Sequence, residues 1–395
     1  MGYLIDKDLY HKVENNLLDK VTELLEDPKR YFYTDANYGA NRRPLISIAV
    51  ETGNEEMVKV LCHHGFSVDE FDALGMTPLH LAVSIGNLSM AKTLLLHGAK
   101  PDSHSSVSSS SPLHLAAEKM GCTEHFSLLT KNCNLNVRDL EGQTPLMRAC
   151  YFGHKDKIAI LLQKGSNPLI SSKSGETAFS LLCQYPAVTD VHIRNFVDNL
   201  VGGHKQRRHI INEMSGIGDR PIHMLIRSRT KAKVPAMKAL IYYGASVDIK
   251  NWSGYTPLAL ACVLKDTHAA RLLLVSGSSL HEFDAYKRTP LEIAAEGKNY
   301  DLLGLLVRAG ARLNLFVDDN STWLKLPQAT KDWIQGRSKV IRPLTYWARL
   351  SLIDYNRNCL KKIFPDELCL PETLNYYLNY LEEDELDEKP PLDGS

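Results

Sequence analysis

The chain carries almost none of the marks of a secreted, membrane-bound or catalytic protein. Its eight cysteines, Cys62, Cys122, Cys133, Cys150, Cys183, Cys262, Cys359 and Cys369, include no Cys-x-x-Cys pair. That spacing, together with an N-terminus (Met1-Gly2-Tyr3-Leu4-Ile5-Asp6) lacking basic and apolar signal regions, argues against a disulfide framework and for a reducing compartment. Gly2 invites a myristoyl group, but the sixth position is Asp6 rather than Ser or Thr. No apolar run is long enough to span a bilayer. Net charge is also missing: 46 Lys plus Arg balance 46 Asp plus Glu, so no global field favours nucleic acid or a membrane surface. Finally, the sequence has no G-x-S-x-G, no phosphate loop, no H-E-x-x-H and no Cys/His metal spacing. It therefore reads as non-catalytic, with no cofactor and no metal.

What is abundant is repetition. Thr77-Pro78-Leu79-His80-Leu81-Ala82 recurs nearly intact as Ser111-Pro112-Leu113-His114-Leu115-Ala116, and its core returns at Thr144-Pro145-Leu146, Thr256-Pro257-Leu258 and Thr289-Pro290-Leu291. Weaker copies stand at Pro44-Leu45, Thr177-Ala178 and Arg220-Pro221. The aligned positions 45, 78, 112, 145, 178, 221, 257 and 290 step by 33 or 34 residues, except for steps of 43 and 36 around 221. Each unit carries the same instructions. Thr and Pro open a first helix, Pro where a missing amide costs nothing. A glycine (Gly53, Gly86, Gly121, Gly153) ends it. A Leu pair (Leu94-Leu95, Leu161-Leu162, Leu272-Leu273, Leu305-Leu306) marks the buried stripe of a second helix. Another glycine (Gly65, Gly98, Gly165, Gly244, Gly277, Gly310) provides a left-handed stop. An Asx-x-x-Gly turn then projects as a finger, as in Asp139-Leu140-Glu141-Gly142 and Asn251-Trp252-Ser253-Gly254.

The T-P-L-H-x-A signature at this period resembles the ankyrin repeat. Leu9 to Asp27 fits the two helices of a unit without a finger, which makes nine repeats over residues 1–314, irregular at 178–235. The 43-residue step places a longer second helix and an extended loop between Gln184 and Met214, on Ile193, Phe196, Val197, Leu200 and Val201. Ser103 to Ser111 is serine-rich, replaces one regular finger, and is expected to be mobile. Residues 315–340, with Trp323, Pro327 and Trp333, read as a capping linker. Residues 382–395 form an acidic tail, six acids in seven from Glu382 to Glu388.

Between linker and tail, at 341–381, the period gives way to another pattern. Pro343-Leu344-Thr345-Tyr346-Trp347-Ala348-Arg349-Leu350-Ser351-Leu352 puts Leu344, Ala348 and Leu352 on one helical face, with Pro343 at the first helical position. Leu368-Cys369-Leu370-Pro371 follows, then Leu374, Tyr377, Leu378 and Leu381 at helical spacing. This resembles a SOCS box, and the whole chain resembles the ankyrin repeat and SOCS box family. The resemblance implies an all-α fold, an ankyrin-repeat solenoid followed by a three-helix box. It implies that Leu344, Ala348 and Leu352 contact elongin C within an elongin B and elongin C pair. It implies that Leu368, Leu370 and Pro371 select the fifth cullin with its RING-box protein. Cys369 stands where the family has a proline, a departure that bears on cullin choice. The implied function is that of a substrate-recognition subunit of a cullin–RING ubiquitin ligase, holding a protein substrate in the cytoplasm, with the nucleus as a second location. The alternative is an ankyrin scaffold whose box only caps the stack.

Two further features bear on partners. His80, His114 and His223 share one repeat position and read as structural hydrogen-bonding groups. His204-Lys205-Gln206-Arg207-Arg208-His209 and the stretch Arg227, Arg229, Lys231 and Lys233 are basic. Solvated loops, a patch for an acidic ligand and a nuclear-localisation signal all fit them. The two residues after each turn Asx project furthest from a finger, and they include Leu74, Leu140, Trp252 and Tyr286. These four, with Arg229, are the expected substrate contacts; tips folded against their neighbours are the competing expectation.

Overall fold

A computed structural model describes residues 7–27, 43–119, 123–131 and 133–311, together with positions 328, 331 and 332. The expected SOCS-like segment 341–381, the acidic tail 382–395 and nearly all of the linker 315–340 lie outside the described residues. The described residues are helical apart from turns, with one isolated bridge, Ser171–Thr177. None of these helices is long and apolar enough to cross a membrane.

The chain divides into two compact units, Met1–Tyr185 with Val191–Ile210, and Pro186–Asp190 with Ile211–Ser395. The first holds α1 (Lys7–Glu14), α2 (Leu18–Leu25), α3 (Leu45–Glu51), α4 (Glu55–His63), α5 (Pro78–Ile85), α6 (Leu88–Leu96), α7 (Pro112–Glu118), α8 (Thr123–Leu129), α9 (Pro145–Tyr151), α10 (Lys155–Gln163), α11 (Ala178–Gln184), all but the first residue of α12 (Asp190–Asp198) and all but the last two of α13 (His204–Asn212). The second holds α14 (Pro221–Arg227), α15 (Lys233–Tyr242), α16 (Pro257–Val263), α17 (Thr267–Val275), α18 (Pro290–Glu296) and α19 (Tyr300–Arg308). Within each unit, first helices stack on first helices (α3 on α5, α5 on α7, α7 on α9, α9 on α11; α14 on α16, α16 on α18), and second helices form a second layer. The core runs between the two layers. Leu94, Leu161, Leu162, Leu273, Leu305 and Leu306 are buried there, whereas Leu95 and Leu272 sit half-buried at its margin.

A reciprocal cap starts α5, α7, α9, α11 and α18, and in α16 Thr256 caps one way only. The Thr77 hydroxyl accepts from the His80 amide, and the His80 ring accepts at Nδ1 from the Thr77 amide at 3.1 Å. Nε2 then donates to the Ser110 carbonyl of the next repeat, at 2.9 Å. His114 does the same with Ser111 and with the Gln143 carbonyl, at 3.0 Å. In the second unit His223 Nε2 reaches the Tyr255 carbonyl at 2.9 Å, but Arg220 replaces the capping threonine and leaves His223 Nδ1 without a partner. Burial, outweighing the bond to the neighbouring carbonyl, lowers the pKa of all three, to about 4 for His114 and His223.

The helix stops also follow local chemistry. Gly53, Gly86 and Gly153 end first helices, and Gly65, Gly98, Gly165, Gly244, Gly277 and Gly310 end second helices, all at positive φ. α7 stops differently. Lys119 is extended there, and α10 supplies the cap: Lys157 Nζ donates to the Ala116 carbonyl at 2.6 Å and to the Lys119 carbonyl, and His154 Nε2 donates to the Glu118 carbonyl at 2.9 Å. Lys157 is almost wholly buried, with its ammonium 5.7 Å from the Phe126 ring centre.

Two expectations need correction. The 184–214 segment is not a longer second helix with an extended loop. α12 stops at Asp198, Val201 is exposed, and Gly202 (φ 151) breaks the helix before α13 begins. Arg207 Nη2 donates to the Leu200 carbonyl at 3.1 Å, and Ile210 and Ile211 are buried. The insertion is thus a third helix, whose six polar first residues hide its apolar end. The serine-rich finger is held rather than loose. Ser105 N donates to the Ser110 carbonyl at 2.9 Å and Ser109 N to the Ser105 carbonyl at 3.0 Å, with Ser109 (φ 51) in the left-handed slot glycine normally fills.

The capping histidines set a pH dependence. The unfolded chain takes up protons on His114 and His223 below about 6.5, whereas the folded chain does so only near 4. Between those values the unfolded state binds more protons, so stability is full above pH 6.5 and is lost as pH falls toward 4, by up to about 1.4 kcal/mol per pH unit per histidine. Thermal melts from pH 7.5 to 4.5 should show this decline, and the double variant His114→Gln, His223→Gln should show a shallower slope.

Candidate functional site

The most exposed shared feature of the repeats is the row of finger turns. In each regular finger the Asx side chain folds back on its own loop. Asp72 Oδ1 accepts from Leu74 N at 2.9 Å and Met76 N at 2.8 Å; Asp139 Oδ1 accepts from Glu141 N at 3.0 Å and Gln143 N at 2.8 Å; Asp284 Oδ1 accepts from Tyr286 N at 2.9 Å and Arg288 N at 2.8 Å. The second carboxylate oxygen is anchored by an arginine: Arg148 Nη2 on Asp139 at 2.7 Å, and Arg288 Nη2 on Asp284 at 2.8 Å. Asp219 plays a related part, with Arg227 Nε on Oδ2 at 2.6 Å and Asn251 Nδ2 on Oδ1 at 2.7 Å.

Neighbouring fingers are laced through the backbone. Ser106 N donates to Gly75 O at 3.1 Å, Leu140 N to Ser108 O at 3.1 Å, and Lys173 N to Glu141 O at 2.9 Å. In the second unit Trp252 N donates to Gly218 O at 3.0 Å. At several turns this approach favours glycine. A Cβ on Gly254 would lie 2.7 Å from the Ala285 amide, and its φ is +75.

Lacing fixes the backbone but leaves the tip side chains outside. Leu74 is 67%, Leu140 49%, Trp252 71% and Tyr286 72% exposed. Trp252 rests its ring base near Gly218, and the Arg288 guanidinium lies 5.0 Å from the Tyr286 ring centre. Leu74 and Leu140 belong to the first unit, Trp252 and Tyr286 to the second. Arg229 is exposed but stands apart from the second unit's tips. It follows α14, whose seven residues put about 10 Å between it and the finger that precedes the helix. Leu344, Ala348, Leu352, Leu368, Leu370 and Pro371 lie outside the described residues.

Two exposed tips escaped the sequence pattern, Val107 and Ile217. Neither finger starts with Asx: Ser105 and Ser215 stand there, so only the position relative to the next helix cap could have marked them. Ile217, Trp252 and Tyr286 give each of three successive fingers in the second unit a large apolar tip.

Among the described residues, no group of three His, Cys, Asp or Glu side chains could hold a metal. The thiols are protonated, because burial pushes Cys62 and Cys133 up to about 11 and Cys262 up to about 12.

A family model for ankyrin repeats in three copies matches residues 9–105, 86–172, 113–206 and 222–316. The chain belongs to the ankyrin-repeat family. Its array is similar to the human transient receptor potential cation channel subfamily A member 1 (26% identity over 60% of this chain and 20% of that protein). It is also similar to the Drosophila melanogaster NF-kappa-B inhibitor cactus (27% over 52% of this chain, 38% of that protein). The human ankyrin repeat and SOCS box protein 6 is 28% identical over 53% of this chain and 48% of that protein. The chain thus spans from a fifth to about half of these relatives. Ankyrin repeats are a scaffold for protein–protein interaction, and the exposed tips on a hydrogen-bonded backbone suit that use.

The geometry separates tips from supports. Asp139→Ala removes the acceptor for two amides and strands Arg148, so it should cost about 2–3 kcal/mol in urea unfolding. Trp252→Ala, changing an exposed tip, should stay within about 0.5 kcal/mol.

Proposed function

We propose that this chain is a substrate-recognition subunit of an elongin B/C–cullin–RING ubiquitin ligase, acting in the cytoplasm and also in the nucleus. The observation that carries the reading is the order of parts: an ankyrin array, then the Leu344/Ala348/Leu352 face, then Leu368-Cys369-Leu370-Pro371. The similarity to an ankyrin repeat and SOCS box protein supports it. In this reading Leu344 inserts into elongin C, with Ala348 and Leu352 packing beside it. Leu368, Leu370 and Pro371 choose the fifth cullin and its RING-box protein. A protein substrate is held by finger tips, among them Leu74, Leu140, Trp252 and Tyr286, and Arg229 belongs to a separate contact. The chain performs no bond chemistry. It raises the effective concentration of substrate lysines near a charged conjugating enzyme. A plain interaction scaffold is the second reading, favoured by the breadth of the relatives, whose names include a channel and an inhibitor.

Co-purification separates the two. Leu344→Asp places a charge where burial of one leucine is worth ~1.5–3 kcal/mol, so elongin C should be lost from the purified complex. Leu370→Ala with Pro371→Ala should keep elongin C and lose the fifth cullin. Elongin C retained at wild-type level by Leu344→Asp would leave the scaffold reading.

A further inference from the structure

In the second unit, the turns that join first to second helices lie at the end of the helix pairs away from the fingers. Three successive turns carry exposed cations: Arg229 and Lys231 between α14 and α15, Lys265 between α16 and α17, and Lys298 between α18 and α19. The acids around them are engaged elsewhere. Asp266 pairs with Lys233 at 2.8 Å, Glu296 with Arg288 at 2.7 Å, and Asp219 with Arg227 at 2.6 Å. Asp301, in the first turn of α19, is exposed beside Lys298. None of the four cations has an acidic partner within ion-pair distance among the described residues. This edge is basic within a chain whose formal charge is zero.

The backbone gives an independent reason to look here. Lys265 and Lys298 have φ of 58 and 51, the left-handed region. The matching turns of the first unit use Gly53, Gly86 and Gly153 at φ 74, 84 and 70. A lysine in this conformation is disfavoured where glycine is free to adopt it. Two exposed lysines held in the left-handed region at one repeat position keep charge there against local preference. Lys265 also reaches forward: its Cε lies 3.7 Å from where a Cβ on Gly297 would stand, beside Lys298.

We propose that this edge docks an extended acidic segment of a protein partner, with a carboxylate at every third residue. Packed helices lie about 10 Å apart, so the turns that carry these cations recur at about that interval. A polyproline-II chain rises about 3.1 Å per residue with three residues per turn, which brings every third side chain to the same face at nearly the same interval. Single-stranded nucleic acid fits less well, since it needs aromatic platforms between cations, and the turns 228–232, 264–266 and 297–299 contain no aromatic residue. The inference concerns binding by the array and does not depend on elongin recruitment.

Fluorescence anisotropy on the full chain tests it. The probe is a labelled ten-residue Ser/Pro peptide with Glu at positions 1, 4, 7 and 10. The controls are a peptide of the same composition with its four Glu contiguous, a Gln-for-Glu peptide and a labelled oligothymidine. The spaced peptide should bind at least tenfold tighter than the Gln peptide and several-fold tighter than the contiguous one, and should weaken as salt rises. Lys265→Gln with Lys298→Gln should lose at least fivefold. Lys265→Gly with Lys298→Gly should lose as much while melting higher, which separates charge from fold. Leu344→Asp should bind the peptide normally, so that failure of the ligase reading does not count against this one. Equal affinity for all peptides, unchanged binding by the lysine variants, or preference for the oligonucleotide would overturn the proposal. So would a tenfold gain in peptide affinity when the six acids of Glu382–Glu388 are changed to amides, which would assign the edge to the chain's own tail.

Discussion

The structure depends on one small reciprocal contact, the Thr or Ser hydroxyl and the third helical residue capping each other at the start of a first helix. When that residue is histidine, the cap fixes which ring nitrogen carries the proton. The free nitrogen must then donate outward, and the acceptor is a carbonyl of the next repeat, as at Ser110 and Gln143. A local helix signal thereby becomes a link between neighbours. Such links matter in a repeat array, because each unit has only its neighbours to pack against and no closed core of its own.

The fingers extend the same logic. Asp139 and Asp284 hold their own loops and are held by arginines, and the Asp139 turn also exchanges backbone bonds with the fingers on either side. With these backbone groups engaged, side chains at the tips are released from structural duty. Leu74, Leu140, Trp252 and Tyr286 can therefore differ from one another without disturbing the turns that carry them. Within each unit, varied exposed side chains on a shared backbone frame follow from this separation.

Much of this was legible in the sequence because the determinants are local. Thr77-Pro78, Gly86 and Asp139-Leu140-Glu141-Gly142 specify backbone shapes within a few residues, and the structure realises each. Other features needed three dimensions. α13 begins His204-Lys205-Gln206-Arg207-Arg208, a polar run with no apolar period, and only its final isoleucines are buried. The Lys157 cap joins residues about forty apart and breaks the habit of exposed lysine. Ser105 and Ser215 do by shape what Asx does elsewhere, so Val107 and Ile217 carried no mark. The Leu344 face and the Leu368–Pro371 element were read by resemblance, and they fall outside the described residues. For them the sequence remains the whole argument.

The serine finger has a consequence for how such arrays diversify. It holds one residue more than a regular finger, Ser105 to Ser110 against Asp72 to Met76, yet it still accepts at Ser108 from Leu140 and donates from Ser106 to Gly75. The extra residue is absorbed at the tip, and α7 still stacks between α5 and α9. Length can therefore vary at a finger tip without breaking the bonds that pass between fingers. Lineages descending from this chain could lengthen or reshape a single finger as an isolated event, with no compensating change elsewhere in the stack.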